Sequence, residues 1–427
     1  MVNVNQADLK AMQTLIRLVS AGARKEDVSS LSVDWNTVLP LAVEQHVIPL
    51  LACALLSSPD MDCPETIREY LLHEMRNVSA SNLVRRQRIL KLIDELQNEG
   101  FRIKVLKGYA IAGYYAYPEI RDAADVDLLI DPNQEKMIYR ILEQKGFKVT
   151  PRSKTSHQGV CQHSKYGVVE IHAHLYDELV EDVWFQGMDE NEYQAETPIN
   201  LIIDECNTKT LGYTDQLVFL ALHMIKHFIS GGLTIRMLLD VALFFDQNSK
   251  QIDSARFWNT MDKLQYATLV HTILGLIVTH GGFDRVDFQG MKEFDRSLVD
   301  QLLLDIQCGG YMGSKEINER QDASMEYNRR LLLKRKSFPA YIMYMIKWKL
   351  RSAASHMFPE KSQLFKEYPL LLRWPVAIPF VRLYQAIEYP LRKLSTGILV
   401  HQIRSENSAI SPISKARIEL FEALKIV

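Results

Sequence analysis

Asp125-Val126-Asp127-Leu128-Leu129-Ile130 is the stretch on which the reading of this chain turns. Its apolar and β-branched residues make a strand, and alternate residues of a strand face the same way. Asp125 and Asp127 therefore converge while Val126 and Leu128 turn inward. Two neighbouring carboxylates repel, and a divalent cation between them removes the repulsion. Oxygen-rich sites of this kind favour Mg²⁺, which commonly bridges to substrate phosphates. Taken alone, the pair is equally readable as a solvated strand end.

Working upstream, Arg102 to Leu106 (RIKVL) forms a short β-rich run, followed by Lys107-Gly108 and a helical stretch from Tyr109 to Tyr117. Gly108 permits close backbone approach, and the free N–H groups of a helix start suit a phosphate. Downstream, the spacing predicts a helix over 133–145 and strands near 147–149 and 168–172. The last of these, Val168-Val169-Glu170-Ile171-His172, carries a carboxylate in its middle. A carboxylate inside a strand needs a partner, and a metal shared with Asp125 and Asp127 would supply one.

Outside 101–172 the apolar positions recur at three- and four-residue spacing. Helices are expected over 7–21, 34–57, 64–98 and 215–247, and through most of the remainder. Pro64 suits a first helical turn and Gly100 a stop. The expectation is an α+β protein, a small mixed β-sheet core embedded in a predominantly helical chain. It divides into a helical region over 1–100, the core over 101–205, a helical domain over 206–328 and a basic helical region over 329–427.

Composition narrows the function classes. The 427 residues hold 50 Lys and Arg against 52 Asp and Glu, so the molecule as a whole has no long-range attraction for nucleic acid or an anionic membrane. The charge is uneven, since residues 329–427 carry 18 Lys/Arg and 6 Asp/Glu. This basic region reads as a solvated helical surface, with an acidic partner or lipid as the other occupants to consider. The five cysteines are widely spaced without a CxxC pair, which argues against a disulfide framework and for a reducing compartment. The opening MVNVNQADLKAMQTLIRLV lacks the signal-peptide pattern, and a cytoplasmic location is expected. Leu264 to Phe283 is uncharged and of bilayer length, but its recurring Gln, Thr and His read as a buried helix rather than a transmembrane span.

A strand, a Gly at a helix start, Asp-x-Asp on the next strand and a third acid on a later one: this order resembles the active site of the polymerase-β-like nucleotidyltransferase superfamily. LKG (106–108), YPEIRDAADVDLLI (117–130) and VEIHAHL (169–175) look more narrowly like the uncharacterised nucleotidyltransferase family of bacterial polysaccharide and secondary-metabolite gene clusters. LALHMIKHF (220–228), RMLLDVALFF (236–245) and MFPEKSQLFKEYPLL (357–371) extend the likeness. The resemblance implies that Asp125 and Asp127 bind catalytic Mg²⁺ or Mn²⁺ and that Glu170 completes the triad. Gly108 would receive the triphosphate of an NTP, ATP by default. The chain departs from the superfamily at Gly108-Tyr109, where Gly-Ser or Gly-Gly is usual; Tyr109 is expected among the nucleotide-binding residues, although its hydroxyl need not replace a serine contact. Lys107 is then a phosphate-binding or structural cation, and Arg121 a phosphate ligand, with a loop ion pair to Asp122 as the alternative.

The resemblance implies transfer of a nucleoside monophosphate to a small-molecule, glycan or macromolecular acceptor. The second reading is a catalytically degenerate nucleotide-binding or scaffold protein in a polysaccharide or metabolite biosynthetic assembly. His223 and His227, four apart on a helix, share a face and suit a polar seam against nucleotide or acceptor, or a satisfied core pair. Met224 occupies the place where a zinc protease would need a glutamate. Arg236 and Asp240 suggest a helical ion pair near the cleft. His157, Cys161, His163, His172 and His174 fit no standard zinc spacing. His172 is expected instead to orient Glu170 or an acceptor hydroxyl.

Overall fold

Apolar spacing puts four helices ahead of the first strand in the computed structural model: α1 (Gln6–Arg24), α2 (Trp35–Glu44), α3 (Ile48–Ser57) and α4 (Glu65–Asn98). The structure describes residues 6–335 except 122, 124, 153–155, 177–183, 186–187, 189–193, 205, 285 and 311–315, together with 381 and 411–426. Asp122 and the 357–371 motif lie outside the described residues. α4 runs for 34 residues and buries Ile89, Leu90, Leu92, Ile93 and Leu96 near its end. Gly100, at φ +90°, stops it in a left-handed turn that a side chain would resist, and the Phe101 N–H returns to the Leu96 carbonyl at 3.1 Å.

That turn delivers the chain into a five-stranded mixed sheet. Its strands are β1 (Ile103–Leu106), β2 (Asp125–Ile130), β3 (Lys148–Thr150), β4 (Gln158–His163) and β5 (Gly167–His172), in the spatial order β1-β2-β5-β4-β3. β2 and β5 are parallel, and every other pairing is antiparallel. Val126, Leu128 and Ile130 of β2 join Val169 and Ile171 of β5 in one core, sealed by the end of α4 and by Ile138 and Leu142 of α6 (Glu135–Gln144). Alternation then turns Asp125, Asp127, Glu170 and His172 to the opposite face.

Several details differ from the spacing-based reading: the stretches 34–57 and 215–247, each expected as helical throughout, are each two helices, broken at 45–47 and 231–234. The helix after β1, α5 (Lys107–Ala112), kinks at Gly108 and ends five residues before Tyr117. β4 and the hairpin of β6 (Ile199–Ile203) and β7 (Cys206–Thr210) carry too mixed a pattern to stand out in the sequence.

The helices that follow are α7 (Tyr213–Ser230), α8 (Ile235–Asn248), α9 (Ser254–Lys263), α10 (Ala267–Gly281), α11 (Arg296–Gly309), α12 (Ile317–Arg335) and α13 (Pro412–Ala423). α10, the stretch of bilayer length, is a buried helix, and among the described residues no helix is long and apolar enough to cross a membrane.

The chain forms two compact units, Met1–Tyr327 with Ala416–Val427, and Asn328–Lys415. Within the first unit, buried Asp305 accepts from Arg320 Nη1 at 2.9 Å and from Arg417 Nη1 at 3.0 Å. Arg417 also donates to the carbonyls of Phe228 and Gly231 at the end of α7, and Phe421 packs edge-on against Phe228 and Tyr327.

Candidate active site

The parallel register of β2 and β5 sets Glu170 directly beside Asp127, with Asp125 two residues earlier on the same face. Asp127, Glu170 and His172 each bring one metal-ligating atom within 4.8 Å of the others. His172 Nε2 lies 3.0 Å from Asp127 Oδ1 and 3.7 Å from Glu170 Oε2, while its buried Nδ1 has no hydrogen-bond partner among the described residues. Lys107 Nζ reaches the same Asp127 oxygen at 2.7 Å.

Electrostatics distinguish the two aspartates. Burial pushes the Asp127 carboxyl up, but the Lys107 ammonium and His172 outweigh it and hold the group well below the usual carboxylate range. Asp125 is raised by burial and by the charge of Asp127. His172 is depressed by burial, yet its bonds to Asp127 and Glu170 more than compensate and raise it. The donor set, three carboxylates and an imidazole converging on one face, fits a divalent cation that prefers oxygen.

The turn between β1 and α5 forms the next side. Lys107 takes a positive φ of 40°, and Gly108 has a non-helical φ of 2° and ψ of −86°. A Cβ on Gly108 would sit 3.3 Å from Ala123 Cβ and 3.6 Å from Arg121 Nη1, so a side chain there would press on Ala123, and glycine lets the turn lie this close without that crowding.

Arg121 is anchored rather than mobile in function. Its Nε donates to Asp240 Oδ1 at 3.0 Å and its Nη2 to Oδ2, and the Tyr115 hydroxyl donates to Oδ1 at 2.7 Å. Burial lowers the guanidinium's pKa, but Asp240 outweighs burial and raises it. Asp240 thus ties α8 to the loop before β2, a wider role than the pair with Arg236 that helical spacing suggests.

α7 supplies the facing wall. His223 and His227 stand with ring centroids 4.5 Å apart, and His223 stacks on Phe219. Burial, reinforced by the charge of Lys107, pushes His223 well below its ordinary value and His227 down to about 3, so both imidazoles are neutral at pH 7.

These groups enclose a cavity of about 430 Å³, within the range of small-molecule sites. Asp125, Asp127, Glu170, His172, Lys107, Gly108, Arg121, His223, His227, Arg236 and Asp240 all line it. Tyr109 does not. Its side chain is 7% exposed and belongs to the core beneath the sheet, so the residue that replaces the usual small one turns away from the cavity. The zinc alternative disperses: Cys161 is in the core and His163 packs against Phe147 and Tyr166, while the His157 ring lies tilted against His172 with centroids 5.1 Å apart.

Residues that sequence reasoning missed are Tyr115, Lys226, and the aromatic side chains Tyr176, Phe185 and Phe219 on the cavity wall. Lys226 and Phe219 had a signal, since they lie three and four residues from His223 and share its helical face. Tyr115 and Phe185 had none that a single sequence carries.

The model of the uncharacterised nucleotidyltransferase family matches residues 32–280, more than half of the chain. No curated protein matches it. The chain belongs to this nucleotidyltransferase family, and the match spans the sheet, the turn at Gly108 and both cavity helices.

Proposed function

We propose that this chain is a metal-dependent, polymerase-β-like nucleotidyltransferase that moves a nucleoside monophosphate from an NTP to an acceptor hydroxyl or phosphate and releases pyrophosphate. The observation that carries the reading is the in-register pairing of Asp127 with Glu170, with Asp125 on the same face of the cavity. Asp125, Asp127 and Glu170 would hold Mg²⁺ or Mn²⁺, which when bound activates an acceptor oxygen and neutralises charge on the transferring phosphoryl group.

The chain's own residues account for the rest. The Lys107-Gly108 turn and Arg121 receive the triphosphate, with Arg121 kept in place by Asp240. Tyr109 supports the turn from the core instead of touching phosphate. His172 orients Asp127 and Glu170, and Glu170 is the base candidate for the acceptor proton. On the opposite wall the neutral His223 and His227 can each accept a proton in a hydrogen bond, which suits an acceptor hydroxyl. Their neighbours Phe219, Phe185 and Tyr176 offer flat apolar faces to the acceptor or the base.

The second reading, a nucleotide-binding scaffold, draws on one specific observation: Lys107 and His172 already satisfy Asp127. A thermal-shift panel separates the two. Wild type and Asp127→Asn are melted with each of the four common NTPs, with and without Mg²⁺. Stabilisation of wild type alone by one NTP, only with metal, supports the enzyme and names its donor. An Asp127→Asn protein that still transfers α-labelled nucleotide would end the metal assignment.

A further inference from the structure

The strongest unexplained feature of the cavity is the position of Lys107. Its positive φ is rare for a residue with a side chain, and such strain persists where the surroundings impose it. The turn aims Nζ at Asp127 Oδ1, 2.7 Å away, with the two side chains 14% and 2% exposed. His172 holds the same oxygen at 3.0 Å. A cation that takes this oxygen must therefore displace an ammonium; Asp125 and Glu170, the other acids acting on Lys107, would ligate the same cation, so the displaced and buried ammonium needs a further anion. The anion able to receive it is the one the cavity is proposed to admit, because Lys107 lines that cavity next to Gly108 and Arg121.

Resting on the metal-dependent reading above, we propose that Lys107 is a displaceable internal cation. It holds Asp127 until a triphosphate enters, then passes to the phosphate oxygens as the metal takes the carboxylate. Metal and nucleotide then bind well only together, and the coupling acts equally in both directions. Lys107 is a positioning residue for the metal and a binding residue for the nucleotide.

The test uses the full chain and two simple probes: Mn²⁺ alone, followed by electron paramagnetic resonance, and inorganic tripolyphosphate in EDTA, followed by calorimetry. Wild type should bind Mn²⁺ weakly and tripolyphosphate measurably. Lys107→Met should bind Mn²⁺ at least about tenfold tighter and tripolyphosphate at least about tenfold weaker. Lys107→Gln should shift both in the same opposed directions, and Lys107→Arg should keep the wild-type pattern. Misfolding would lower both affinities, so opposed shifts cannot come from damage. Both affinities falling in Met and Gln alike, or Mn²⁺ binding no tighter in either while Asp127→Asn abolishes it, overturns the role of Lys107 and leaves the metal site standing. Mn²⁺ binding unchanged by Asp127→Asn overturns the metal reading and this inference with it.

Discussion

The two walls of the cavity are built by different means. On the sheet side, acids two residues apart on β2 meet an acid on β5 because strand alternation and one parallel register bring them together. On the helical side, groups four apart on α7 and α8 face the cavity, and Asp240 of α8 grips Arg121 and Tyr115 across elements. The sheet wall is dense in charge and demands counter-ions; the helical wall is neutral where its imidazoles face in. The proposed function places chemistry on the first wall and recognition on the second, and each variant below is a way to separate them.

The largest effect is expected on the sheet wall. Asp127→Asn should lower the turnover of α-labelled nucleotide by about a thousandfold or more, with the loss in kcat. Next is the link between the walls: Asp240→Ala leaves Arg121 buried without its acid and should cost about 3–5 kcal/mol in chemical denaturation. A variant that melts like wild type would show that α8 is positioned by apolar packing alone. Gly108→Ala should follow, raising KM for the NTP about tenfold or more because the added Cβ presses on Ala123 and pushes the turn away from it, with kcat less affected. Equal losses in kcat and KM would blur the division between phosphate binding and chemistry.

The smallest effect separates the walls by pH. His227 has a folded pKa of about 3 against an ordinary 6.5, so its neutral form is favoured by folding. Its contribution is fully present above pH 6.5 and is lost as pH falls toward 3, because the unfolded chain takes up the proton first. His227→Gln should therefore flatten the decline of melting temperature between pH 6.5 and 4. An unchanged slope would mean that another group carries the acid sensitivity.

Much of this was legible in the chain, for reasons that differ by residue. Asp125 and Asp127 announce their shared face because strand period is two, and Gly100 and Gly108 mark turns that side chains resist. Glu170 stood out as a charge inside an apolar strand. Its sharing of a metal with Asp125 and Asp127 was expected, but its in-register place beside Asp127 was not readable, because the two residues are 43 apart in sequence and only the folded sheet sets the β2–β5 register. The bond from His172 to Asp127 and the clasp of Tyr115 and Arg121 on Asp240 were hidden for the same reason. Tyr109 shows the reverse case: the residue next to a functional glycine drew attention as a phosphate contact, yet its aromatic ring lies in the core.

The return of residues 416–427 to the first unit has a practical consequence. Asp305 is shared between Arg320, before the second unit, and Arg417, after it, and Phe421 lies against Tyr327. Residues 328–415 are thus an excursion from a body that the chain later rejoins. Trimming the protein from its C-terminus would remove Arg417 before it removed the excursion, unfastening the end of the helix that carries His223 and His227. Shortening this chain without disturbing that fastening means removing residues from within 328–415 while keeping 416–426 attached.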